Sequence, residues 1–202
     1  MSNNIKKNLD TSNFINFSKS YLNLTQNLLK NIDLNELEKI VNVIEDSSKN
    51  NNTIYTAGNG GSASTASTFV NDIGFDVFKR SSNNKKIKII SLNDNISSLT
   101  AISNDIDFDS IFKSQLKIHF QENDVLIVFS GSGNSKNLIK AVEWIKNKSI
   151  GTTIGFLGFN GGELGQKCDY SMIVESPKGV YGPVEDLHLI FNHLISLWLQ
   201  SK

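Results

Sequence analysis

Two short stretches hold residue types suited to gripping an anion. Gly58-Asn59-Gly60-Gly61-Ser62-Ala63-Ser64 and Ser130-Gly131-Ser132-Gly133-Asn134-Ser135 each follow an apolar run and open a helical pattern. Glycine lets the backbone adopt positive φ and come close to an anion, so that successive N–H groups converge on it. A helix N-terminus adds unpaired donors and partial positive charge, and serine hydroxyls add donors that carry no fixed charge. Neither stretch is a nucleotide motif. No G-x-x-x-x-G-K-[ST] occurs, and Gly58-Asn59-Gly60-Gly61 lacks the spacing of G-x-G-x-x-G. Hydroxyls and amides without lysine or Mg²⁺ suit a monophosphate better than a triphosphate. One Gly/Ser turn after a strand is ordinarily a tight turn and nothing more. Two of them, each between a strand and a helix, point to a site for a small anionic ligand.

The elements that must position these loops follow from periodicity. From Asn13 to Lys30 apolar residues fall at Phe14, Phe17, Tyr21, Leu24, Leu28 and Leu29, a helical spacing. Asp33 caps a second helix from Leu34 to Ser48, with Leu34, Leu37, Ile40, Val41 and Ile44 on one face. Short Ile/Val-rich runs then alternate with helical segments: Thr53 to Ala57, Ile87 to Ser91, Val125 to Ser130, Thr153 to Leu157 and Met172 to Val174. Runs of this kind read as buried parallel strands. A last helix runs from Pro183 to Leu199, with Pro in its first turn. The expectation is an α/β three-layer sandwich around a parallel sheet of about five strands, flavodoxin-like, with right-handed crossovers. Ligands of such sheets bind beyond the carboxyl ends of the strands, where both Gly/Ser loops fall. Without a linker or low-complexity stretch, residues 1–202 read as one domain: helices over 1–50 and the α/β core over 51–202.

Composition removes several classes of function. Lys+Arg and Asp+Glu both number 20, which argues against a duplex nucleic-acid binder. The single cysteine, Cys168, excludes an internal disulfide framework and fits a reducing compartment; it reads as a small buried residue rather than a nucleophile. The polar segment Met1 to Asp10 is no signal peptide, and no apolar run reaches the ~20 residues needed to span a bilayer. The expectation is a cytoplasmic protein without membrane contact. The N-terminal helices carry more apolar surface than a lone domain needs, which points to a homo-oligomer. Trp144 and Trp198 sit among apolar neighbours at helical spacing and read as core or interface.

The two loops, the helix carrying Glu185-Asp186-Leu187-His188, Leu99-Thr100-Ala101-Ile102 with Asn104-Asp105, and Asn123-Asp124-Val125-Leu126-Ile127 together carry a resemblance. In order and spacing the chain resembles the phosphoheptose isomerase branch of the sugar isomerase (SIS) domain family. The resemblance implies a tetramer with the N-terminal helices packed between subunits. It implies ketose–aldose isomerisation of sedoheptulose 7-phosphate to a heptose 7-phosphate. The phosphate and sugar would be held by Asn59, Gly60, Gly61, Ser62, Asp94, Asn95, Ser130, Ser132, Asn134 and Ser135.

At the catalytic positions the chain departs from the family pattern. A His and, four residues on, a Glu of that pattern become Thr68 and Asp72; a Gln and a His three residues later become Glu185 and His188; the Asp of the loop after the second strand becomes Asn95, with Asp94 beside it. The resemblance thus implies Asp72, Glu185 and His188 as the acid/base set. No cofactor is required; if Zn²⁺ is bound, the same three residues are its ligands. Isomerisation through an enediol needs a base at carbon and an acid at the carbonyl oxygen, and Glu185 shares a helix face with His188 at i, i+3. Read without the family, Asp72 is a solvated helix residue and Glu185 a first-turn residue favoured by the helix dipole. His193 reads as structural and His119 as exposed, while Tyr181 lines the pocket or is an ordered loop aromatic. The alternative function is a non-catalytic phosphosugar-binding protein, or a partner-binding module resembling the DnaA initiator-associating protein.

Overall fold

The computed structural model describes residues 2–202. Five strands, β1 (Thr53–Gly58), β2 (Lys88–Ser91), β3 (Asp124–Ser130), β4 (Gly151–Gly158) and β5 (Tyr170–Val174), form one parallel sheet in the order β2-β1-β3-β4-β5. The register sets Thr56 beside Ile127 and Ile127 beside Ile154, one row across the three inner strands. Every residue of β3 is buried, as expected of a central strand covered on both faces.

Alternation along each strand divides the core in two. Val125, Ile127 and Phe129 pack with Ile40 and Ile44 of α3 (Leu34–Lys49), Phe69 of α4 (Gly61–Val70) and Phe191 of the last helix, Gly182–Gln200. Leu126 and Val128 pack with Phe112 and Leu116 of one helix, Ile111–His119, and Leu138 and Val142 of another, Lys136–Lys148. Phe129 and Phe156 stack with ring centroids 5.1 Å apart, tying β3 to β4 inside the first layer.

Two features lie outside the sequence reading, and a third gives detail to a helical segment it expected. A short helix, α1 (Ser2–Asn8), precedes α2 (Phe14–Lys30), and Leu9 is buried just after it. The chain after Val70 does not stop but widens into a π-helical segment, Asn71–Asp76, before α5 (Val77–Arg80). The segment between β2 and β3 folds as α6 (Ile96–Asp105), a 3₁₀ turn at Phe108–Ser110 and α7 (Ile111–His119). The remaining helices are α8 (Lys136–Lys148), α9 (Leu164–Lys167) and α10 (Gly182–Gln200). Among the described residues no helix is long and apolar enough to cross a membrane.

Helix α2 buries none of its residues within the chain, and Phe14, Ile15 and Leu22 stand in solvent. It is moored to α10 through Tyr21, whose hydroxyl donates to the Asp186 carboxylate. Burial and that carboxylate both push the Tyr21 phenol well above its ordinary range.

Candidate functional site

The crevice lies where the sheet order reverses, beyond the carboxyl ends of β1 and β3. β1 runs into Gly60, whose φ of +57° with ψ of −126° is open to glycine and strained for other residues, and the turn launches α4. Asn93 clamps the start of this loop: its Oδ1 accepts from the Gly58 N–H at 3.0 Å, and its Nδ2 donates to the Gly58 carbonyl at 2.9 Å. Asn59 and Asn137 exchange two amide hydrogen bonds of 2.9 Å, which ties the first loop to the start of α8. In the second loop the Gly133 N–H donates to Ser130 Oγ at 3.0 Å and the Asn134 N–H to Ser132 Oγ at 3.2 Å.

Between the loops lies a cavity of about 190 Å³, lined by Asn59, Ser62, Ser130, Ser132, Ser135 and Glu185 with Gly131 and the Tyr181 ring. Gly131 is needed there, since a Cβ would stand 2.7 Å from Tyr181 Cδ1. No lysine or arginine lines the cavity among the described residues. Its polar character comes from hydroxyls, one amide and one carboxylate. The Glu185 carboxylate lies over the first residue of α4; a Cβ on Gly61 would meet its Oε2 at 2.7 Å. The positive end of α4 favours a negative group at that place.

Five expected site residues, Asn134, Asp94, Asn95, His188 and Asp72, do not line this cavity. Asn134 has both amide atoms engaged, Oδ1 accepting from the Glu163 N–H at 3.1 Å and Nδ2 donating to Ser132 O at 2.8 Å. It is a tie between loops, not a donor to the cavity. Asp94 accepts from Ser67 Oγ at 2.7 Å, and Asn95 caps α6 by accepting from the Ser98 N–H. Both line a separate cleft along the edge strand β2. His188 is sunk in the core, 1 % exposed, with its ring edge-on to Phe129 and Phe156 and Nε2 3.3 Å from the Leu157 carbonyl. Burial lowers its pKa to about 4. A core imidazole does not touch substrate, so His188 is withdrawn from the acid/base set.

The histidine beside a carboxylate is His193. Its Nε2 lies 3.7 Å from Asp72 Oδ2, with the imidazole open to solvent and the Asp72 side chain largely covered. Asn192 Nδ2 donates to the same Oδ2 at 2.6 Å, and Ser196 Oγ donates to the Asp72 carbonyl at 2.8 Å. The π-helical turn that carries Asp72 is thus pinned from α10, a geometry often met at functional sites.

The expected Zn²⁺ set does not assemble within the chain. Asp72 pairs with His193, Glu185 lies at the other end of α10, and His188 is buried between layers. Among the described residues no three His, Cys, Asp or Glu side chains gather closely enough to hold a metal ion. The Cys168 thiol, pushed up to about 12 by burial and by Asp169, is no nucleophile.

Residues 17–158 match the family model described as SIS domain. The chain is 35 % identical over 183 residues to the phosphoheptose isomerase of Clostridium acetobutylicum, covering 88 % of each protein. Its fold superposes on the phosphoheptose isomerase of Neisseria gonorrhoeae with a TM-score of 0.77 at 25 % identity, over 88 % of this chain and 91 % of that one. For the Francisella tularensis phosphoheptose isomerase the TM-score is 0.79 at 21 % identity, over 92 % and 95 % of the two chains. With the serine loops, the sheet order and these likenesses in agreement, the chain belongs to the SIS-domain family, in its phosphoheptose isomerase branch.

Proposed function

We propose that the protein is a sugar-phosphate isomerase that interconverts sedoheptulose 7-phosphate and an aldoheptose 7-phosphate. The observation that carries this is the hydroxyl-lined cavity at the β1/β3 crevice, which offers Ser62, Ser130, Ser132 and Ser135 to one small anion. Asp72 and His193 supply the acid and base. The base takes a proton from C1 while the carbonyl oxygen on C2 is protonated, giving an enediol; a proton then returns to C2 as the C1 hydroxyl becomes the carbonyl. No electrons are gained or lost overall.

One chain does not bring these parts together. Helices α4 and α10 both start at the cavity, and Asp72 lies eleven residues beyond Gly61, roughly 16 Å along a helix. A heptulose phosphate spans roughly 9 Å from phosphorus to C2, with bonds of about 1.5 Å. The acid/base pair at each cavity therefore comes from a second copy of the chain. The bare apolar face of α2 and the exposed Leu194, Leu197 and Trp198 of α10 support a homotetramer built on these helices.

The test is NMR of the protein with sedoheptulose 7-phosphate, following an aldose anomeric signal. Its growth, and its loss in Ser132→Ala, supports the isomerase. Saturable binding that Ser132→Ala weakens, with no aldose formed over days, replaces it with a phosphosugar-binding protein.

A further inference from the structure

Helix α10 carries a line of polar residues along its inward side. His188, Asn192 and Ser196 are all 3 % exposed or less, and Gln200 continues them, each one turn from the last. The adjoining line of Leu187, Phe191, Ile195 and Leu199 is apolar and packs into the first core layer. A helix seated on a core is ordinarily apolar along its inward side, so the polar line needs partners. Two of its members find them on one residue. Asn192 Nδ2 donates to Asp72 Oδ2 at 2.6 Å, and Ser196 Oγ donates to the Asp72 carbonyl at 2.8 Å. Gln200 Nε2 in turn donates to Ser196 Oγ at 2.9 Å. That bond fills a lone pair of the hydroxyl and leaves its one hydrogen for the Asp72 carbonyl. The side chain and the backbone of Asp72 are thus held separately, the first by Asn192 and the second by Ser196.

Stability alone does not account for this arrangement. Asn192 Oδ1 is buried and, among the described residues, accepts no hydrogen bond. A buried acceptor left unpaired costs free energy, and a leucine in the same place would bear no such cost. The amide cannot turn over to relieve it, because only Nδ2 can serve a carboxylate. What the amide gives in return is a fixed direction for the Asp72 side chain, which stands on the π-helical turn Asn71–Asp76. That direction matters to a base, since a displacement of ~1 Å costs about 100-fold in rate.

We infer that Asn192 and Ser196 are positioning residues for the reaction: Asn192 aims the Asp72 carboxylate, and Ser196, oriented by Gln200, fixes the turn that carries it. This rests on the isomerase reading, in which Asp72 belongs to the acid/base pair. Both residues are too deeply buried to touch the sugar, so they act through Asp72. A double-mutant cycle on turnover of sedoheptulose 7-phosphate tests it. Asn192→Leu lowers kcat about 10- to 100-fold and leaves KM within about 2-fold, because only the proton-transfer step is disturbed. Ser196→Ala acts in the same sense and to a lesser degree. In an Asp72→Asn background neither substitution causes a further loss, since the group they aim is gone. A merely structural role gives equal losses in both backgrounds, and that result overturns the inference. Wild-type kcat in both single variants overturns it as well, and in either case the isomerase reading stands. No aldose from the wild type overturns the isomerase reading and takes the positioning role with it. Melting temperatures near that of the wild type establish that the variants are folded; should Asn192→Leu not fold, Ser196→Ala carries the cycle alone.

Discussion

Asp72 Oδ2 is approached by His193 Nε2 at 3.7 Å on the open side and by Asn192 Nδ2 at 2.6 Å on the buried side. The carboxylate is held from within while its face towards the imidazole stays accessible. Such an arrangement fixes a base in place without hiding it. Asp72→Asn keeps the shape and removes the base. The expected loss in kcat is about 10² to 10⁴-fold, with KM for sedoheptulose 7-phosphate nearly unchanged. His193→Gln acts in the same direction. Steady-state kinetics decide it, and full activity in either variant removes that residue from the mechanism.

The sheet and the serine cavity were legible in the sequence because their signals are local. Val125 to Ser130 is a buried strand by composition, and Ser130 to Ser135 is a loop by its glycines; both stand where expected. The acid/base set was not legible, because side-chain direction along α10 depends on packing against two other elements. His188 and His193 are five residues apart and differ by more than a third of a turn. One faces Phe129 and Phe156, the other Asp72. The π-helical turn that re-aims Asp72 has no signature in residue types, since its widened ladder is held by the Ser196 hydroxyl from a distant helix. Asn134 misled for a similar reason: it sits in a loop of anion-binding type, yet its Oδ1 is engaged by Glu163 of the neighbouring segment and its Nδ2 by the Ser132 carbonyl of its own loop.

Two glycines of the loops differ in what they resist. A Cβ at Gly133 would lie 1.9 Å from the Gly161 carbonyl oxygen, at a φ of +66°. At Gly60, φ is +57° and no atom lies within 4 Å of a Cβ. Gly60→Ala therefore costs backbone strain alone, about 1–3 kcal/mol. Gly133→Ala adds a backbone clash that separates the serine loop from the segment after β4, and costs about 4 kcal/mol or more. Urea denaturation ranks the pair. Equal midpoints for the two variants would show that the Gly133–Gly161 contact is loose in solution.

Helix α2 and the outer face of α10 give a prediction about assembly. Leu22 is 65 % exposed and Trp198 47 %, on helices that carry further bare apolar residues. Leu22→Glu together with Trp198→Glu places charge where the proposed tetramer is dry, a substitution that costs several kcal/mol per interface. Light scattering is expected to show monomers. Because the proposed mechanism draws the acid/base pair of each cavity from another copy, the expected outcome is that turnover falls with assembly while phosphate binding persists. A tetramer that survives both substitutions refutes the role given to these faces.

His188 makes stability depend on pH in a defined direction. Its folded pKa is lowered to about 4 by burial, against 6.5 when exposed. Between those values the unfolded chain carries the proton and the folded chain does not, so stability falls as pH drops from 6.5 towards 4. The two pKa values give a loss of about 2 kcal/mol at pH 5 and about 3 kcal/mol below pH 4. Above pH 7 the imidazole is neutral in both states and contributes no pH dependence. His188→Gln retains a donor for the Leu157 carbonyl and does not titrate. Subtracting its urea-denaturation free energies from those of the wild type isolates the single group. The difference is flat above pH 7 and slopes downward between pH 6.5 and 4; parallel curves across that window would mean that water reaches the His188 ring in the folded protein.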